Sequence, residues 1–174
     1  MNNVTFRPFS VDRDRDMICA FLRDTKESVG DMVDDHAADC EHYIKAILPT
    51  QKRDKAFCVV VEENNSTIGF VDIFPMKSKP GIGFMRFIYL IPECRDRSYG
   101  KLLLDYAVSV LKEYDCRAII LDVSSNNSTD LLKRYSGSFS CSYQSCPGFL
   151  NVFSYQHLDQ GLAGNTKSLR FFVE

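Results

Sequence analysis

Two hydrophobic rhythms alternate along the chain. Val4 to Pro8 reads as a short strand. Ser10 then stands where a polar residue caps a helix running to about Arg23, with Met17, Ile18, Phe21 and Leu22 at helical spacing on one side. Thr25 to Val33, which contains Gly30, reads as a loop. A second helical stripe follows from about Asp34 to Leu48 through Cys40, Tyr43, Ile44, Ile47 and Leu48, and Pro49 is expected to end it. The rhythm then changes to that of strands. Ala56–Glu62 and Thr67–Pro75 flank the turn Glu63-Asn64-Asn65-Ser66, predicting a hairpin. After a Pro- and Gly-containing turn at Lys77–Gly81, Ile82–Ile91 is a long apolar strand that stops at Pro92.

A third helix is predicted over about Ser98–Tyr114. Leu103, Tyr106, Ala107, Val110, Leu111 and Tyr114 form its apolar side, and Lys101, Asp105, Ser109, Lys112 and Glu113 its wet side. Arg117–Val123 reads as a buried strand, Asn127–Tyr135 as a short helix, and Phe139–Gln144 and Phe149–Leu158 as two last strands. The order is βααβββαβαββ, an α/β class with a mixed sheet. Its strand–helix–strand unit (Ile82 to Val123) implies a parallel pair joined by a crossover helix. Residues 1–158 make one expected domain. The polar tail 159–174 ends in Leu169-Arg170-Phe171-Phe172-Val173, which is expected to add an edge strand or to dock on a partner.

Composition narrows the function classes. With 174 residues, 45% hydrophobic and 25% charged, the chain is long enough to bury a core without metals or disulfides. A net charge of −2 implies no basic face, so nucleic acid is a poor partner. No run approaches the roughly 20 apolar residues that span a bilayer, so no membrane is expected, and Met1–Thr5 is polar. The seven cysteines (19, 40, 58, 94, 116, 141 and 146) are odd in number and form no CxxC pair. They read as free thiols in a reducing, cytoplasmic compartment, with no metal site.

The chemistry is expected where Ile91 hands over to the third helix. Arg95-Asp96-Arg97-Ser98-Tyr99-Gly100-Lys101 lies between an apolar strand and a helix N-terminus. Such a turn aims backbone N–H groups, together with the positive end of the helix dipole, at one point. That makes an anion site fit for a diphosphate. Arg95, Arg97 and Lys101 add cations, and Gly100 lets a ligand approach the backbone. The bland alternative is a charged, solvated helix start.

Ile91 to Leu103 resembles the acyl-CoA pyrophosphate loop of the GNAT superfamily of N-acetyltransferases. The family pattern is Arg or Gln, two residues, Gly, one residue, then Gly or Ala. Arg95 and Gly100 match it, and Ser98 stands in the place of the first glycine. Downstream, Asn127 falls four residues after Val123 and Phe139 twelve after Asn127, as in the family, with Ser138 replacing a Gly. The resemblance implies a GNAT-like fold, a single mixed sheet with helices on both faces. It implies acetyl transfer from acetyl-CoA, as cosubstrate, to a primary amine of a small molecule or protein. Tyr89, Leu90 and Ile91 would offer backbone contacts to the pantetheine arm, with an N–H near Leu90 facing the thioester oxygen. Residues 95–101 and Asn127 would hold the coenzyme. The family's acid is a Tyr on the short helix. Gapless matching puts Arg134 there and Tyr135 one position on, so Tyr135 is the candidate acid, with a packing role as its alternative. Asn127 is as readily an N-cap as a coenzyme contact.

No base stands out. Glu93 at the strand end is carried as catalytic beside Tyr135; Asp72, Asp34, Asp35 and His36 are alternatives, and so is bulk water. Arg86 is the only charged residue of Ile82–Ile91. The acidic stretch Asp31–Asp35 favours a cationic acceptor such as a polyamine or aminoglycoside. It reads equally as an exposed first helical turn, and His36 and His42 as helix surface. A homodimer is left open. Two rival functions stand beside the transferase. One is a non-catalytic acyl-CoA-binding sensor or assembly module. The other, a nucleotide-phosphate binder of another fold, is disfavoured by the lack of a Gly-Lys-Ser/Thr turn.

Overall fold

A computed structural model describes residues 3–29, 36–95, 98–124, 140–144 and 166–172. The described strands are β1 (Val4–Pro8), β2 (Cys58–Glu63), β3 (Ser66–Pro75), β4 (Ile82–Leu90), β5 (Ala118–Ser124), β6 (Ser140–Gln144) and β7 (Thr166–Phe172). They are ordered β1-β2-β3-β4-β5-β7-β6 in a mixed sheet. The helices are α1 (Val11–Val29), α2 (His36–Arg53) and α3 (Tyr99–Lys112). The chain divides into two compact units, Met1–Ile73 with Phe87–Ala107, and Phe74–Arg86 with Val108–Glu174. The α/β class expected from the hydrophobic rhythms is the class found.

In the first unit, β1 and β2 pair antiparallel, as do β2 and β3. Asn64 and Asn65 turn this second pair at φ 49° and 65°, the left-handed geometry that a tight two-residue hairpin needs and Asn tolerates. Val59, Val60 and Val61 of β2 and Phe70, Val71 and Ile73 of β3 are buried, with Ile18 and Ile47 from α1 and α2. The start of α1 is fixed by charge. Ser10 accepts the Asp14 amide on its carbonyl, and the Asp14 carboxylate accepts the Ser10 amide at 2.8 Å. Asp14 is 2% exposed and takes both terminal nitrogens of Arg7, at 2.7 and 2.8 Å. Asp14 thus raises the Arg7 pKa, chiefly by these hydrogen bonds.

In the second unit, β4 and β5 run parallel from Ile82↔Ala118 to Met85↔Leu121. The register stops there, although β4 continues to Leu90. β5 pairs antiparallel with β7 over its whole length.

Several expectations change. Helix α1 runs on to Val29, through the start of the expected loop, because Lys26 is buried and ion-paired to Asp39 of α2. Pro49 does not end α2, which continues to Arg53. The turn after Pro49 is held from outside: Thr50 is buried, and the Gln51 amide donates to the Phe9 carbonyl. The tail strand is not at an edge. β7 lies between β5 and β6 and pairs with both, so both of its backbone edges are engaged. The cysteines are not all thiols either. Cys19 of α1 and Cys40 of α2, with Cα atoms 5.3 Å apart, are joined as a disulfide, while Cys58, Cys94 and Cys116 are buried thiols. The short helix expected over 127–135 and the strand over 149–158 fall outside the described residues.

Candidate functional site

Every described residue of the expected coenzyme loop lies in the first unit. β4 stops at Leu90, and Pro92–Cys94 forms one 3-10 turn. Its amides are spent locally: Cys94 N–H donates to Ile91 O at 3.0 Å and Arg95 N–H to Pro92 O at 3.1 Å. The Arg95 amide is therefore not among those offered to a ligand, contrary to the expectation for the whole turn.

At Ser98 the backbone has φ 65°. A non-glycine residue is rarely found there, because its Cβ crowds the carbonyl oxygen, at a cost of roughly 1–2 kcal/mol. The left-handed residue is the one standing where the family pattern has its first glycine. Ser98 O accepts the Leu102 amide at 3.3 Å, which makes Ser98 the residue that opens α3. The Gly100 and Lys101 amides then belong to the first turn and have no acceptor within the helix. They point out of the α3 N-terminus, where the dipole is positive. The other parts of the loop are anchored. Tyr99 Oη donates to Glu63 of β2, and Lys101 Nζ pairs with Asp105 one turn on, at 2.6 Å. Asp96 and Arg97 lie outside the described residues, as do Asn127, Tyr135, Arg134, Ser138, Phe139 and Asp31–Asp35 with Asp34.

The end of β4 carries the second half of the site. The Ile91 amide donates to Ile68 O of β3 at 3.0 Å. Backbone groups alternate along a strand, so those of Leu90 point away from β3. Leu90 O accepts Arg95 Nε at 3.0 Å from that outer side. Of the three residues expected to offer backbone groups, Leu90 is thus the one turned outward, and Ile91 has its amide committed to β3. Close approach of β3 depends on Gly69: a Cβ there would lie 2.5 Å from Tyr89 O and 3.1 Å from Leu90 Cδ2.

One residue missed in the sequence sits here. Asp24 of α1 accepts Tyr89 Oη at 2.8 Å and Arg95 Nη2 at 2.7 Å on the same oxygen. The helix was expected to end at Arg23. Extending the stripe one step, three residues beyond Phe21, places position 24 on the side that faces β4. Phe21 itself stacks on Tyr89 with centroids 4.2 Å apart, and the Arg95 guanidinium lies 5.4 Å from the Tyr89 ring centroid. Burial works to raise the Asp24 pKa, but the Tyr89 and Arg95 hydrogen bonds and the Arg95 charge outweigh it and hold Asp24 below the usual range. Burial, then the Asp24 hydrogen bond and charge, push the Tyr89 phenol up to about 12. Tyr89 is therefore a fixed donor, not a proton shuttle near neutrality.

The expected bases are dispersed. Asp72 is fully buried and accepts Tyr43 Oη at 2.8 Å and the Cys58 thiol at 3.4 Å, so a solvent-borne amine cannot reach it. Arg86 is buried, its guanidinium 4.6 Å from the Phe74 ring centroid. Glu93 is exposed on the 3-10 turn. His36 is the first residue of α2 and His42 is exposed on the same helix. No group of three or more His, Cys, Asp or Glu that could hold a metal occurs among the described residues. No described helix is long and apolar enough to cross a membrane.

Comparison with known proteins bears on the fold and the family. No curated protein sequence matches the chain. Solved structures do. EctA, a diaminobutyrate acetyltransferase of Paenibacillus lautus with its substrate L-2,4-diaminobutyric acid and coenzyme A, matches with a TM-score of 0.67 at 16% identity, over 99% of this chain and 96% of that one. Ard1 from Thermoplasma volcanium matches with a TM-score of 0.66 at 16% identity, over 98% and 99%. The PaiA N-acetyltransferase of Thermoplasma acidophilum, in complex with coenzyme A, matches with a TM-score of 0.61 at 15% identity, over 98% and 99%. At these identities the structures speak for the fold. The model of the acetyltransferase (GNAT) family matches residues 17–137, well over half of the chain and the whole of the strand–turn–helix segment built around Ser98, and the chain belongs to that family.

Proposed function

We propose that the protein is an N-acetyltransferase that moves an acetyl group from acetyl-CoA to a primary amine, of a small molecule or of a protein. The observation that carries this is the left-handed Ser98 opening α3, with the Gly100 and Lys101 amides at the helix N-terminus as an anion cradle. Charge-assisted hydrogen bonds of about 1.5–3 kcal/mol each hold a diphosphate without a metal. Tyr99, Arg97, Asp96 and Asn127 are assigned to the same cradle by their family positions, and Lys101 by its place in the first turn.

The outward-facing Leu90 backbone suits the pantetheine arm, and its N–H the thioester oxygen. In the reaction the amine nitrogen attacks the thioester carbonyl carbon, the oxyanion is stabilised, the C–S bond breaks, and the thiolate takes a proton. Tyr135 is proposed as the acid. Glu93 is proposed as the base acting through water, since its carboxylate is exposed just beyond β4. A cytoplasmic location fits the coenzyme, and there the Cys19–Cys40 pair would be held reduced.

The competing module reading draws on the buried Asp72, which takes one candidate base away. One assay decides between them. Protein, acetyl-CoA and a panel of amines are mixed and free CoA thiol is followed. Amine-dependent thiol release supports the transferase. CoA binding without release on any amine supports the module.

A further inference from the structure

A carboxylate, a carbonyl oxygen and the face of an aromatic ring meet at the end of β4, and together they recognise an organic cation. The carboxylate is Asp24, the carbonyl is Leu90 O and the ring is Tyr89. The cation held there is the protein's own: Arg95 places Nη2 2.7 Å from Asp24 Oδ2, Nε 3.0 Å from Leu90 O, and its guanidinium carbon 5.4 Å from the Tyr89 ring centroid. This site is independent of its occupant in one respect. Tyr89 Oη holds Asp24 Oδ2 at 2.8 Å, so the carboxylate stays oriented when the guanidinium leaves. The pair is also open to exchange, with the Arg95 and Asp24 side chains 43% and 40% exposed.

Arg95 lies three residues before Ser98 in the sequence, in the segment that leads into the anion cradle. A diphosphate there offers more negative charge than one carboxylate and presents oxygens in the fork geometry a guanidinium prefers. We propose that Arg95 has two positions. Without coenzyme it fills the acceptor's cation site on Asp24, Leu90 O and Tyr89. When acyl-CoA binds, it turns to the diphosphate and opens that site to a cationic acceptor, an alkylammonium or alkylguanidinium. Asp24 then positions the acceptor beside Leu90, where the thioester carbonyl is expected. Binding is ordered, coenzyme before amine. The inference rests on the acyl-CoA reading of the loop.

Calorimetric titration with coenzyme A, and with agmatine as the cationic probe, tests it. Agmatine carries a primary amine and the guanidinium group that Arg95 presents. In the wild-type protein, saturating CoA should tighten agmatine binding about tenfold or more, within the usual range of coupling between sites, and agmatine should tighten CoA by the same factor. Arg95→Gln should bind agmatine equally well with and without CoA, near the wild-type affinity in the presence of CoA. Asp24→Asn should lose agmatine binding under both conditions and still bind CoA. The proposal is overturned if CoA binds but leaves wild-type agmatine affinity unchanged. It is also overturned if agmatine does not bind the CoA-saturated wild type, or if Arg95→Gln still needs CoA. Failure of CoA to bind at all overturns the coenzyme reading instead. The Arg95→Gln titration with agmatine alone still decides the cation site in that case.

Discussion

At the scale of single residues, Ser98 and Tyr89 carry the most information. Ser98 holds a φ that glycine adopts without strain. Ser98→Gly relieves roughly 1–2 kcal/mol of crowding and returns part of it through the extra freedom of the unfolded chain. We expect a net gain of about 0.5–1 kcal/mol in urea unfolding; a loss would mean that the serine side chain stabilises the turn. Tyr89 should release its proton at about 12, seen as tyrosinate absorbance lost in Tyr89→Phe. Its folded pKa is raised, so its stabilising share is complete below pH 10 and fades as pH rises towards 12. Asp24 has the opposite sign. Its folded pKa is depressed, so its share is present above about pH 3.8 and lost as pH falls through the folded value. Asp24→Asn should flatten the acid limb of the stability curve and lower the Tyr89 pKa towards 10, leaving the part due to burial. An unmoved Tyr89 titration would separate the two residues.

At the scale of elements, β3 and β4 come close because Gly69 has no side chain. A methyl group there meets the Tyr89 carbonyl oxygen at 2.5 Å, and backbone gives way poorly. Gly69→Ala should therefore cost about 1–3 kcal/mol in stability and shift the end of β4, weakening CoA binding as well. A variant of wild-type stability would mean that β4 is not held where described. Much at this scale was legible in the sequence. Period-2 and period-3.6 patterns located β1, β2, β3, β4, α3 and the buried side of α2, since apolar spacing is a local property. The junction from β4 into α3 around Gly100 was legible as well. What escaped depends on distant partners. Nothing near Thr25 says that Lys26 will bury itself against Asp39, and nothing near Pro49 says that Gln51 will reach Phe9. The position of β7 between β5 and β6 is a matter of long-range pairing, and Asp24 was passed over because the helix that carries it was expected to end at Arg23 although it continues to Val29.

At the scale of the whole molecule, composition suggested a chain of thiols, but α1 and α2 are joined by Cys19–Cys40 across 21 residues, beside the Arg15–Glu41 and Lys26–Asp39 ion pairs. A loop of that size constrains the unfolded chain by about 3 kcal/mol. Cys19→Ser should lower stability by roughly that amount under oxidising conditions and by much less in reductant, where the wild type has lost the bond too. Equal losses in both would assign the cost to packing.

The central claim is that the turn opening α3 holds the diphosphate of coenzyme A. Titrating coenzyme A into the wild-type protein and into Gly100→Asp, with folding verified by circular dichroism, tests it most directly. The account predicts saturable one-to-one binding by the wild type and a loss of about 100-fold or more when a carboxylate is set against the diphosphate, an order of magnitude for each 1.4 kcal/mol. Equal affinities for the two folded proteins would contradict it.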